Sequence, residues 1–138
     1  MRALEVEPGT ELGPLRKTIT QEKIARYAAA SGDHNPLHLD QDFAAATQFG
    51  GTIAHGMLLL AYLSEMLTAA FGGRWLEGGR LQVRFRGPAR PGDTIMVTGL
   101  VKAVDASTGV TASIECRNQA GEILVSGETV VTNSRGLP

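Results

Sequence analysis

Gly56-Met57-Leu58-Leu59-Leu60-Ala61-Tyr62-Leu63-Ser64-Glu65-Met66-Leu67-Thr68-Ala69-Ala70-Phe71 is the stretch on which the fold of this chain turns. Its apolar residues fall nearly all round a helical wheel, and a helix with no fully polar face is a buried helix. The run holds Ser64 and Glu65 and is too short to span a bilayer. Protein, not lipid, has to cover it. The residues downstream have the pattern to do so. In Arg80-Leu81-Gln82-Val83-Arg84-Phe85-Arg86 polar and apolar residues alternate, placing Leu81, Val83 and Phe85 on one side of a half-buried strand. Three further β-type runs follow at 94–104, 110–117 and 122–132. Turn-rich segments at 105–109 and 118–121 separate them, as in an antiparallel meander.

Upstream, residues 1–14 read as an irregular lead-in and 15–19 as a short strand. Thr20 is placed to cap a helix over 21–30, with Ile24, Tyr27 and Ala28 on one face and Gly32 as its stop. Asp40 can cap a second short helix over 41–47, before Gly50-Gly51 turns the chain into the long apolar run. One long helix wrapped by one curved antiparallel sheet satisfies this order, so the expectation is an α+β fold in a single domain over 1–138.

Composition narrows the function classes. Thirteen basic against fourteen acidic residues give no general pull toward nucleic acid. The single cysteine, Cys116, has no internal partner, sits on an expected strand and reads as a buried thiol, not a nucleophile. Residues 1–13 lack the apolar core of a signal peptide. These readings point to a cytoplasmic protein without nucleic-acid or membrane partners. There is no phosphate-binding P-loop, and no G-x-G-x-x-G follows a strand.

The candidate site lies just before the long helix. All three histidines fall within Ser31-Gly32-Asp33-His34-Asn35-Pro36-Leu37-His38 and Gly50-Gly51-Thr52-Ile53-Ala54-His55-Gly56. Asp33 and His38 sit on a segment that Pro36 keeps from being helical throughout, and a carboxylate and an imidazole there can polarise one water between them. Asn35 can orient that pair or meet a polar group of the substrate. Gly56 opens the helix, so its N–H has no intrahelical acceptor, lies at the positive end of the dipole and suits a developing oxyanion. Each residue alone has a plainer reading. Asp33 suits a turn, His38 a structural contact, and His55 an interior imidazole at a helix entry. His34, His38, His55 and Asp33 are also potential metal ligands, but Pro36 interrupts the His34/His38 spacing and the expectation is no metal. Arg80, Arg84 and Arg86 read as a solvated strand face, with a phosphate contact as the alternative.

Tyr27-Ala28-Ala29-Ala30-Ser31-Gly32-Asp33-His34-Asn35-Pro36-Leu37-His38, with Ala44 six residues on, resembles the motif of the MaoC-like, (R)-specific enoyl-CoA hydratases. Thr52-Ile53-Ala54-His55-Gly56-Met57 is similar to the family's entry into its central helix, and Ala30 stands where a larger aliphatic residue or glycine is usual. The resemblance implies a hot-dog fold, a homodimer or dimer of dimers, and no cofactor. It implies Asp33 and His38 as the catalytic pair, Gly56 as donor to a thioester carbonyl, and Asn35 and His55 as substrate-positioning groups. The implied substrate is an acyl-CoA or acyl-carrier-protein thioester. The implied reaction adds water to a trans-2-enoyl thioester, or removes it from a 3-hydroxyacyl thioester. A hot-dog thioesterase and a non-catalytic acyl-CoA-binding subunit are the competing expectations.

Overall fold

A computed structural model of the chain describes residues 6–132. Its elements in order are β1 (Glu11–Thr18), α1 (Gln21–Ser31), α2 (Pro36–Leu39), α3 (Gln41–Ala45), α4 (Gly56–Phe71), α5 (Gly73–Gly78), β2 (Gly79–Phe85), β3 (Thr94–Asp105), β4 (Gly109–Arg117) and β5 (Ile123–Val131). The five strands form one antiparallel sheet in the order β1-β3-β4-β5-β2, with α4 packed against β1, β3 and β4. This is the hot-dog arrangement that the sequence resemblance implies.

Alternation selects the inner face of the sheet. Ile95, Val97 and Val101 of β3, with Val110, Ala112, Ile114 and Cys116 of β4, are all buried. They meet Leu58, Leu59, Tyr62, Leu63, Met66, Leu67 and Phe71 of α4. Those seven positions form one broad stripe at helical spacing, each burial stabilising the fold by about 1.5–3 kcal/mol for the larger side chains. The expectation of a helix enclosed all round is corrected here. Met57, Ala61, Glu65 and Ala69, one helical turn apart, remain exposed. A sheet grips only one side of a rod, and the five strands among the described residues cover that side.

Three other boundaries differ from the sequence reading. β1 begins at Glu11, inside the expected lead-in, and a register shift between Leu12 and Leu15 lets it continue past Pro14. The segment after Gly72 forms α5, where Trp75 is buried and its Nε1–H donates to Ser64 Oγ at 2.8 Å. Finally, residues 36–39 are a single helical turn where a loop is expected. Proline is disfavoured within a helix but welcome at its first position, where no N–H is needed. Pro36 therefore opens a turn here instead of breaking one.

Candidate active site

Two backbone devices bring the polar segment to the entry of α4. α1 starts at Thr20, whose Oγ1 accepts from the Lys23 N–H, and stops at Gly32, whose φ of 81° is the left-handed conformation glycine adopts freely. Asp33 follows, its Oδ1 accepting from the Asn35 N–H at 3.2 Å. Asn35 Oδ1 in turn accepts from the Leu37 N–H at 2.9 Å and caps α2. The expectation for Asn35 changes accordingly: its side-chain oxygen is occupied in setting the helical turn that carries His38.

His38 is held at its ring. Nδ1 lies 2.8 Å from the Ile53 carbonyl, and a carbonyl only accepts, so Nδ1 carries the proton. In the neutral ring Nε2 is then an acceptor, and it lies 4.0 Å from Asp33 Oδ2. His38 is mostly covered while the Asp33 side chain is half-exposed, so the pair opens to solvent on the Asp33 side.

His55 lies behind this pair and is 2% exposed. Its Nε2 donates to the Asp33 backbone carbonyl at 3.0 Å, and its ring stacks on His38 with centroids 3.8 Å apart. On its other side lies Tyr27, at 4.8 Å and a 59° tilt. Tyr27, His55 and His38 thus form a column that fixes both the Asp33 backbone and the His38 ring plane. Such burial takes His55 away from the substrate-facing position expected for it. Its signal in the sequence was weak, since a histidine before a helix reads the same whether it faces inward or outward.

The column also bears on metal binding. Ligand atoms of Asp33, His38 and His55 come within 4.8 Å of one another. His38 Nδ1 and His55 Nε2 donate to carbonyls, which leaves His38 Nε2 and His55 Nδ1 as the nitrogens with a free lone pair. His34 is exposed and lies outside this group.

Gly56 is the first residue of α4, with His55 at the N-cap. A Cβ built on Gly56 would lie 2.7 Å from Phe85 Cε1, closer than carbon atoms tolerate. The missing side chain lets the β2 aromatic ring pack directly on the helix entry, and any larger residue would displace that ring; sequence spacing offers no means to find this contact. Phe85 belongs to the helix-facing side of β2 as expected, yet it is 53% exposed because β2 is an edge strand. Beside it lies a cleft of about 560 Å³ walled by Phe49, Ile53, Gly56, Met57, Phe85 and Pro88. Asp33 and His38 do not line it; Ile53, whose carbonyl holds His38, connects the two places. A second depression of about 550 Å³, between β1, β3 and β4, contains none of these residues. Arg86 donates from Nε to Ser126 Oγ at 2.6 Å, while Arg80 and Arg84 are exposed.

The sequence model of the MaoC like domain matches residues 4–122. The chain belongs to the MaoC-like family. Among its relatives, the (R)-specific enoyl-CoA hydratase of Rhodospirillum rubrum is 36% identical over 124 residues, covering 88% of this chain and 85% of that protein. The 3-hydroxybutyryl-CoA dehydratase of Methylorubrum extorquens is 33% identical over 122 residues, covering 85% of this chain and 74% of that protein. The solved structure of the (R)-hydratase from Aeromonas caviae involved in PHA biosynthesis superposes with a TM-score of 0.82 at 32% identity, covering 94% of this chain and 98% of that one. Within this MaoC-like chain the stretch from Tyr27 to His38 supplies much of the geometry described above. Tyr27, Gly32, Asp33, Asn35, Pro36 and His38 are the stack partner, the helix stop, the carboxylate, the cap, the turn opener and the imidazole.

Proposed function

We propose that this protein is a hydro-lyase that adds water to trans-2-enoyl thioesters, giving (R)-3-hydroxyacyl thioesters, and catalyses the reverse dehydration. The observation that carries this reading is the 4.0 Å separation of Asp33 Oδ2 and His38 Nε2, both acceptors. One water donating to two acceptors at ~2.8 Å each holds them roughly 4–4.5 Å apart. The pair is spaced for a water whose two O–H bonds are engaged and whose lone pair points away, toward an electrophile.

The chemistry then balances. The water oxygen bonds to C3, Asp33 accepts one of its protons, and the C2–C3 electron pair moves toward the thioester carbonyl. The Gly56 N–H, at the start of α4, stabilises the resulting enolate oxygen. A proton returned from the Asp33/His38 pair to C2 completes the addition, with His38 Nε2 orienting the second O–H throughout. No step calls for redox chemistry. The acyl chain fits the apolar cleft beside Gly56, and the CoA thioester named for the relatives is the proposed substrate class.

The proposed assembly is a homodimer joined through β2. Among the described residues that strand pairs only with β5, runs seven residues without proline or bulge, and has no strand on its outer side. The opposite edge, β1, carries a register shift and Pro14, which has no N–H to give.

Purified protein mixed with crotonyl-CoA should remove the enoyl absorbance and yield the (R)-3-hydroxy product, identified by chiral analysis. Release of free CoA thiol in place of hydration would make it a thioesterase. Binding without turnover across chain lengths would make it a non-catalytic subunit.

A further inference from the structure

Behind His38 lies a group of polar side chains that the proposed reaction does not use. Gln21, the first residue of α1, donates from Nε2 to the His38 backbone carbonyl at 2.8 Å. Its Oε1 accepts from Thr52 Oγ1 at 2.7 Å. Thr52 is 4% exposed, so its hydroxyl has little access to water; Gln21 Oε1 is its near acceptor and Gln41 Oε1, at 3.4 Å, a longer one. The Thr52 N–H donates to Gln41 Oε1 at 3.4 Å, which ties the same residue to α3. Thr52 is followed directly by Ile53, the residue whose carbonyl accepts from His38 Nδ1.

These contacts close a ring. From the His38 carbonyl the path runs through Gln21 to Thr52, along one peptide bond to Ile53, and back through the Ile53 carbonyl to the His38 ring. Both ends of His38, backbone and imidazole, are thereby referred to the same two-residue segment. The Ile53 carbonyl lies in the same peptide plane as the Ala54 N–H, which donates to the Ala89 carbonyl at 2.8 Å, so this acceptor is held from both flanks. Gln21 and Thr52 act on the other half of the contact: without them the His38 backbone can shift against that acceptor, which weakens the Nδ1–H bond and with it the assignment of Nε2 as the free lone pair. Thr52 opens the stretch that resembles the family's helix entry, but neither its tie to Gln21 nor the role of Gln21 is legible there, because both exist only where α1 crosses the 52–53 segment.

We infer that Gln21 and Thr52 are positioning residues that set the tautomer and orientation of His38. They act through His38 and touch no reacting atom. The inference deepens the hydratase reading and rests on it for its kinetic part, but its spectroscopic part needs no substrate.

The test uses the full chain with ¹⁵N-labelled histidine. In the parent protein, long-range ¹H–¹⁵N spectra should show His38 protonated at Nδ1 and bare at Nε2. Gln21→Met, at an exposed position, and Thr52→Val, nearly isosteric, should each give His38 a mixture of tautomers. Each should lower kcat about tenfold with KM changed less than about twofold, the pattern of a group felt in the transition state. Thr52→Ser keeps the hydroxyl and should return kcat to within about twofold of the parent. Parent-like spectra and kcat in Gln21→Met would overturn the inference, as would Thr52→Ser being as impaired as Thr52→Val. Should Thr52→Val fail to fold, Gln21→Met decides alone, its folding checked by an unchanged Tm. A parent protein without hydratase activity would sink the proposed reaction, while a tautomer shift in Gln21→Met would still establish the clamp.

Discussion

Asp33→Asn separates the chemistry of the site from its architecture. The substitution keeps shape and keeps an oxygen at Oδ1, so the Asn35 N–H retains its 3.2 Å acceptor and the cap of α2 is undisturbed. It replaces Oδ2, which faces His38 Nε2 across 4.0 Å, with an NH₂ group. Where two acceptors faced a water there is now one donor and one acceptor. The amide can neither take a proton from the water nor leave both its O–H bonds engaged. Loss of a positioned general base costs about 10²–10⁴ in rate, or about 3–5 kcal/mol in the barrier. Folding should barely respond, because the side chain is half-exposed and such changes stay within about 0.5 kcal/mol. The assay is initial-rate hydration of crotonyl-CoA by parent and variant, with thermal melts of both. The expected result is kcat lowered at least about hundredfold, with Tm within about 3 °C of the parent. A variant retaining more than about a tenth of the parent kcat would refute the two-acceptor reasoning and remove Asp33 as the base.

Gly56→Ala places a methyl group 2.7 Å from Phe85 Cε1 and should lower kcat/KM. In a cycle with Phe85→Ala the two effects should be non-additive by about 0.5–3 kcal/mol, and strict additivity would show that the ring does not shape this entry. Gly79→Ala drives a Cβ into the ring of buried Trp75 and should destabilise the fold by about 1–3 kcal/mol, seen as a lower urea midpoint at unchanged slope. Burial pushes the Cys116 thiol up from 9.0 to about 12, so in the folded chain it should react with thiol reagents at least about a hundredfold more slowly than in the unfolded chain. Because the folded state holds this proton more tightly, the shift contributes fully below pH 9.0, and stability should fall as pH rises from there toward about 12. A Cys116→Ser chain losing stability as steeply over that window would assign the loss to other groups.

The sequence by itself determined the classes of element and singled out Asp33 and His38 as candidates. Helical spacing of bulky apolar residues in 56–71, and strict alternation in 81–85, each leave one way to bury a face. Gly32 and Pro36 act through their own backbones and Asn35 through a side-chain oxygen that reaches the N–H two residues on, so the stop, the opened turn and the cap are written locally. In the sequence Pro36 nonetheless argues against helix, because its effect reverses between the interior and the first position, and only the structure places it first. Tertiary structure alone decided the rest. The inward turn of His55, the contact between Gly56 and Phe85, and the Gln21–Thr52 clamp join residues 17 to 31 positions apart. No local periodicity records which of two polar side chains will meet after α1, β2 and α4 have packed. That long-range packing turned a cluster of three histidines into one imidazole facing Asp33, one buried beneath it and one left in solvent.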